Sequence, residues 1–262
     1  MKKLILLIVA ACMTCTAAFA QTVKPFKEGE RAVFLGNSIT DGGHSHSYIW
    51  LYYMTRFPDM PIRVFNGGIG GDTAYDMNKR LDGDIFAMKP SVLMVTFGMN
   101  DPGYFEYNGD KPKEFGEQKY QESIKNYQQM EKRFKDLPDT RIVMVGTSPY
   151  DETVQLKENT PFKTKNETIK RLVEYQKESA AKNNWEFTDL NAPMTAINPQ
   201  YQQKDPTFTL CGSDRIHPDN DGHMVMAYLF LKAQGFVGKE VADMEINAKK
   251  KQAVKSENCT VS

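Results

Sequence analysis

Near the C-terminal end the chain carries Asp214-Arg215-Ile216-His217-Pro218, a carboxylate three residues ahead of an imidazole and just before an apolar helical pattern. A carboxylate that fixes a histidine's tautomer and steadies the imidazolium makes that ring a general base. A base needs a nucleophile, and Gly36-Asn37-Ser38-Ile39-Thr40, near the other end, offers the hydroxyl of Ser38. Gly71 and Asn100 each stand just past an apolar run, where a backbone N–H or a side-chain amide can meet a developing oxyanion. Together the four segments supply what acyl transfer through a serine needs.

Each segment also has a plainer reading. Ser38 is a good helix N-cap. Gly67, Gly68, Gly70 and Gly71 suggest a dinucleotide loop, but Thr73 stands where the last glycine of G-x-G-x-x-G belongs. Asn100-Asp101 before Pro102 is turn-like, and Asp214 with His217 suits a helix entry. No G-x-S-x-G surrounds Ser38, so the nucleophile elbow of α/β-hydrolases is absent.

The elements that must position these groups follow from the apolar pattern. Strand-length runs at 32–35, 62–65, 92–97, 142–145 and 186–190 are bounded by turn-forming residues. Helical patterns at 48–56, 74–81, 119–135, 165–182 and 220–234 separate them. The alternation predicts a three-layer α/β/α domain around a doubly wound, flavodoxin-like parallel sheet of about five strands. Ligands bind such sheets outside the carboxyl ends of the strands. Ser38, Gly71 and Asn100 follow the first three runs and Asp214 and His217 follow the fifth, so all converge on one sheet edge. Residues 101–118, rich in Gly, Pro, Tyr and charge, read as a long loop beside that edge. The aromatic group Tyr48, Trp50, Tyr52 and Tyr53, at near-helical spacing, reads as core.

The blocks Gly36-Asn37-Ser38-Ile39-Thr40, Asn66-Gly67-Gly68-Ile69-Gly70-Gly71-Asp72-Thr73, Gly98-Met99-Asn100-Asp101 and Asp214-Arg215-Ile216-His217 resemble, in order and spacing, those of the SGNH (GDSL-type) hydrolases. The resemblance spans roughly residues 31–235. It implies Ser38 as nucleophile, His217 as base, Asp214 as its orienting carboxylate, and Gly71, Asn100 and the N–H of Ser38 as oxyanion donors, with no metal or organic cofactor. Asn37 departs from the family's usual Asp, which touches the geometry of the turn and not the reacting groups.

Composition bounds the rest. The 262 residues balance 33 basic against 33 acidic side chains, so no net field points to nucleic acid. The four histidines form no metal-ligand spacing with cysteines. His44 and His46 read as loop-packing or solvated groups, with substrate or metal contact as the alternative, and His223 as structural. Lys2 and Lys3, the apolar run 4–11 and Ala18-Phe19-Ala20 predict a signal peptide over residues 1–20, export to the periplasm or beyond, and a mature chain starting at Gln21 without stable membrane insertion, with a retained or lipid anchor as the alternative. Cleavage removes Cys12 and Cys15 and leaves Cys211 and Cys259, whose pairing the sequence leaves open. The hydrolase domain is expected over 21–237. Residues 238–262 read as a polar tail, either a solvated helix with a frayed end or the start of a further module.

The expected reaction is hydrolysis of a small acyl ester, acetyl by preference, on a carbohydrate. The alternatives are a lipid or lysophospholipid esterase, a thioesterase, and a catalytically silent carbohydrate-binding module on the same fold. Oligomeric state is left open.

Overall fold

A computed structural model of the protein describes residues 22–261. The predicted signal segment, with Cys12, Cys15 and Gln21, lies outside the described residues. Five strands form one parallel sheet: β1 (Arg31–Gly36), β2 (Arg63–Gly68), β3 (Val92–Val95), β4 (Arg141–Gly146) and β5 (Glu186–Asp189). Their order is β2-β1-β3-β4-β5, the flavodoxin-like order expected from the alternation of runs.

The strands read as near-continuous apolar runs because both faces of the sheet are covered. Every residue of β3 is buried, and so are Ile142 to Gly146 of β4. Side chains alternate across the sheet with period two. Ala32, Met94 and Val143 therefore pack on one face, against Ile49 and Tyr53 of helix α2 (His44–Arg56) and Met226 and Phe230 of helix α7 (Asn220–Ala233). Val33, Leu93 and Met144 pack on the other, against Met77 of α3 (Ala74–Arg80) and Tyr127, Met130 and Phe134 of α4 (Pro112–Lys135). Helix α5 (Lys165–Asn183) divides its apolar residues, Ile169 and Val173 to the first core and Ala180 to the second.

The order of strands sets the site. Leu35 of β1 is level with Gly67 of β2 and with Val95 of β3. The three strands thus deliver their following loops at one height, with that of Ser38 in the middle. Strand order reverses between β1 and β3, the crevice in which doubly wound sheets bind ligands.

Several elements differ from the sequence reading. Trp50 is 42% exposed and is not core, whereas Tyr53 is buried. The expected loop 101–118 is shorter. A 3₁₀ turn covers Phe105–Asn108 and α4 already begins at Pro112, a residue suited to the first helical position because its missing N–H would be unpaired there anyway. Helix α6 (Asn191–Gln202) escaped the pattern because Pro193 and Pro199 interrupt its helical signal. The tail is neither helical nor frayed. Asp243–Asn247 and Gln252–Glu257 pair as an antiparallel hairpin, β6 and β7, with nearly every residue exposed.

A short helix, α1 (Ser38–Asp41), follows β1 and rests on the end of β2. A Cβ at Gly68 would stand 2.2 Å from the N of Asp41 and 2.7 Å from the carbonyl carbon of Thr40, so the close approach requires glycine there. Gly68→Ala is therefore expected to cost about 1–3 kcal/mol, the range for overpacking, and to displace the turn that carries Ser38. Thermal unfolding should show a Tm lower by several degrees, and ester hydrolysis should fall with it. A variant with unchanged Tm would show that the two segments do not touch so closely.

Candidate active site

The turn after β1 decides what Ser38 is free to do. Asn37 is the N-cap of α1, and its Oδ1 accepts from the N–H of Ile39 at 3.0 Å. With the cap filled by Asn37, the hydroxyl of Ser38 is not consumed in capping. The Nδ2 of Asn37 is buried with no hydrogen-bond partner among the described residues. Ser38 is the first residue of α1, so its N–H is one of the orphan donors that every helix start presents.

Ser38 Oγ lies 2.7 Å from Nε2 of His217, and Nδ1 of the same ring lies 2.5 Å from Oδ2 of Asp214. An ionised carboxylate can only accept, so the ring carries its proton on Nδ1 and presents Nε2 as acceptor to the Ser38 hydroxyl. The other carboxylate oxygen, Oδ1, accepts from the N–H groups of Ile216 and His217, each at 2.9 Å. Partial burial works against ionisation of Asp214, but the hydrogen bonds from the His217 ring and backbone outweigh it and bring the carboxyl down to about 2. The bond to Asp214 raises His217 above the ordinary 6.5 of a histidine, against a smaller opposing effect of desolvation. Both side chains are 47% exposed, so the pair opens to solvent.

Arg215, between the two, was not singled out from the sequence. It is 2% exposed and sits at φ +70°, a left-handed conformation that residues with a Cβ rarely adopt. Its guanidinium donates to the carbonyls of Asp151 (3.1 Å), Val154 (2.8 Å) and Asn159 (2.6 Å), while its own carbonyl accepts from Asp151 N–H. These bonds hold the bend that aims Asp214 and His217 at each other. Gly212, also left-handed at φ +70°, lets the loop close: a Cβ there would fall 2.1 Å from the carbonyl oxygen of His217.

Gly71 stands at φ +84° in the turn after β2, with open space around its missing Cβ, so its conformation and not crowding asks for glycine. The loop is held by Arg80, which donates to Asp72 Oδ2 (2.6 Å) and to the carbonyls of Gly36 (3.1 Å) and Gly67 (2.8 Å), tying the ends of β1 and β2 together. Asn100 joins this group, since its Nδ2 donates to the carbonyl of Asp72 at 3.0 Å. Asp101 is buried, and its carboxylate accepts from the N–H groups of Ala74 and Gly98. Burial pushes its carboxyl up to about 6. A hydroxyl bonded to its base can act as a nucleophile, and the turns carrying Gly71 and Asn100 follow the neighbouring strands at the same sheet edge, where donors can meet an oxyanion.

The remaining histidines flank the site. His46 is buried and stacks on Phe34, and His223 is buried with its ring 5.3 Å from that of exposed His44. Burial lowers both His46 and His223 to about 4, helped by the neighbouring His44. Among the described residues no group of three or more His, Cys, Asp and Glu is placed to hold a metal ion. Cys211 is a buried free thiol accepted by the carbonyl of Pro149, and Cys259 in the tail is free as well.

Comparison with known proteins follows the same lines. The model of the GDSL-like Lipase/Acylhydrolase family matches residues 34–225. An acetylxylan esterase from Geobacillus stearothermophilus is 27% identical over 224 residues, covering 79% of this chain and 95% of its own. The crystal structure of Axe2, an acetylxylan esterase from the same organism, matches with a TM-score of 0.62 at 25% identity over 80% of this chain and 96% of that one. The structure of BT4096, a gut microbial diltiazem-metabolizing enzyme, matches at 83% identity and a TM-score of 0.89, covering 92% of this chain. The match covers 55% of BT4096, so this chain spans little more than half the length of that relative.

An NMR titration of the His217 ring should give an apparent pKa above 6.5, because its proton is held by Asp214. Asp214→Asn should lower that value. A midpoint that does not respond to the substitution would separate the two residues.

Proposed function

The chain belongs to the GDSL-like lipase/acylhydrolase family and is a carboxylic ester hydrolase, and from that premise we propose that it removes small acyl groups, acetyl by preference, from carbohydrate through a Ser38–His217–Asp214 triad. His217 takes the proton of Ser38 as the hydroxyl attacks the ester carbonyl, and Asp214 steadies the imidazolium. The N–H groups of Ser38 and Gly71 and the amide of Asn100 receive the oxyanion. The imidazolium then protonates the departing alcohol, and water, activated by the same ring, releases the acid.

The observation that carries this reading is the chain of two hydrogen bonds from Ser38 through His217 to Asp214. The 47% exposure of Asp214 and His217 supports a carrier too large to be engulfed, with only its acyl group entering the cluster of donors. The acetylxylan esterase relative favours a sugar as that carrier. The diltiazem-metabolizing relative supports a second arm, a small non-sugar substrate. Lys2, Lys3, the apolar run and the A-x-A site support export, and N-terminal sequencing of the protein recovered outside the cytoplasm should begin at Gln21.

Ser38→Ala should abolish ester hydrolysis with the fold retained, checked by circular dichroism. Full activity in the folded variant would remove Ser38 from the mechanism. Wild-type protein offered acetylated xylo-oligosaccharides, long-chain fatty-acyl esters and diltiazem should give its highest kcat/KM on the acetylated sugars. A preference for the fatty-acyl esters would turn the reading to a lipid esterase.

A further inference from the structure

We infer that Tyr104 is a positioning residue for the oxyanion: its hydroxyl holds the Asn100 amide in the orientation that keeps a side-chain N–H available at the site, and makes that N–H a stronger donor. This rests on the proposed role of Asn100 as an oxyanion donor.

An asparagine amide is nearly symmetric in shape but opposite in hydrogen bonding at its two ends. If it turned over, Asn100 would offer an acceptor where the mechanism needs a donor. Two contacts fix it. The Tyr104 hydroxyl donates to Oδ1 at 2.5 Å, and Nδ2 donates one of its hydrogens to the Asp72 carbonyl at 3.0 Å. Turning the amide over would set Oδ1 against that carbonyl and lose both bonds. The second N–H of Nδ2 has no partner among the described residues and is the one left for the substrate oxygen. Donation into Oδ1 also draws electron density from the amide nitrogen, and hydrogen bonds linked in this way strengthen one another. The gain is greatest when the acceptor carries full charge, so it belongs to the transition state more than to bound ester.

Tyr104 is itself held in place. The Lys165 amino group, fully buried, sits 3.8 Å from the Tyr104 ring centroid and donates to the carbonyls of Met99 (2.7 Å) and Gly103 (2.6 Å), the residues on either side of the Asn100 turn. Phe162 meets the same ring edge-on at 5.8 Å. One buried amino group thus closes residues 99–104 into a loop whose tyrosine reaches back to its own asparagine.

The test is a double-mutant cycle on an acetyl ester with wild type, Tyr104→Phe, Asn100→Ala and the double variant. Phenylalanine keeps the ring for Lys165 and Phe162 and removes only the hydroxyl, and thermal unfolding checks that the fold survives. Tyr104→Phe should lower kcat about five- to tenfold, the scale of one neutral hydrogen bond, with KM changed less than about twofold. Asn100→Ala should lower kcat by about 10²-fold or more. In the Asn100→Ala background, Tyr104→Phe should cost nothing further. Additive losses, or an unchanged kcat in Tyr104→Phe alone, would overturn the inference while leaving Asn100 as a donor. An unchanged kcat in Asn100→Ala would overturn the oxyanion assignment and this inference with it. As a second readout, the Asn100 side-chain amide protons should shift in the NMR spectrum of Tyr104→Phe, and resonances that stay in place count against the contact.

Discussion

The hydrogen bond between Ser38 and His217 joins residues 179 positions apart, and much of the architecture exists to make it. One such bond contributes only about 1 kcal/mol, far less than the entropy of closing so long a loop. It cannot organise the chain, and is formed because the sheet has already done so. Burial of β1, β3 and β4 on both faces supplies the stabilisation, and parallel pairing brings every strand's carboxyl end to the same edge. Once that edge exists, the distance between Ser38 and His217 is set by two local devices, the Asn37-capped turn and the Arg215-anchored bend.

The same division explains what the sequence made legible. The parallel sheet could be read because strands covered on both faces leave continuous apolar runs, and their order followed from the βα alternation. Ser38, Asn100, Asp214 and His217 could be picked out because their side chains carry a chemistry that few other residue types share, and Gly71 because a left-handed turn after a strand asks for glycine. The groups that hold them could not. Arg215, Arg80 and Lys165 bind mainly backbone carbonyls, at Asp151, Val154 and Asn159, at Gly36 and Gly67, and at Met99 and Gly103. A carbonyl is present at every position, so such a partner leaves no mark on the sequence. Helix α6 was hidden for another reason: its prolines weaken the local signal, while Met194 packing in the core and the Asn198 side chain accepting from Leu210 N–H keep it in place.

The two carboxylates beside the donors show how environment separates groups of the same type. Asp214, half exposed, accepts three hydrogen bonds from its own loop and stays charged well into acid. Asp101, buried one residue after Asn100, accepts from Ala74 and Gly98 and lies near Lys165, yet burial still raises it. One residue meets the His217 ring as a fixed anion. The other braces the loop from within.

The two buried imidazoles carry a cost of a different kind. His46 and His223 stay uncharged in the folded protein down to about pH 4, whereas in an unfolded chain each would take up a proton near 6.5. Between those values the unfolded state binds protons that the native state refuses, and acid drives the equilibrium toward it. The penalty is absent above pH 6.5 and grows as the medium acidifies toward 4. A fold that keeps Asp214 charged is thus limited on its acid side by two histidines of its supporting layer, on α2 and α7.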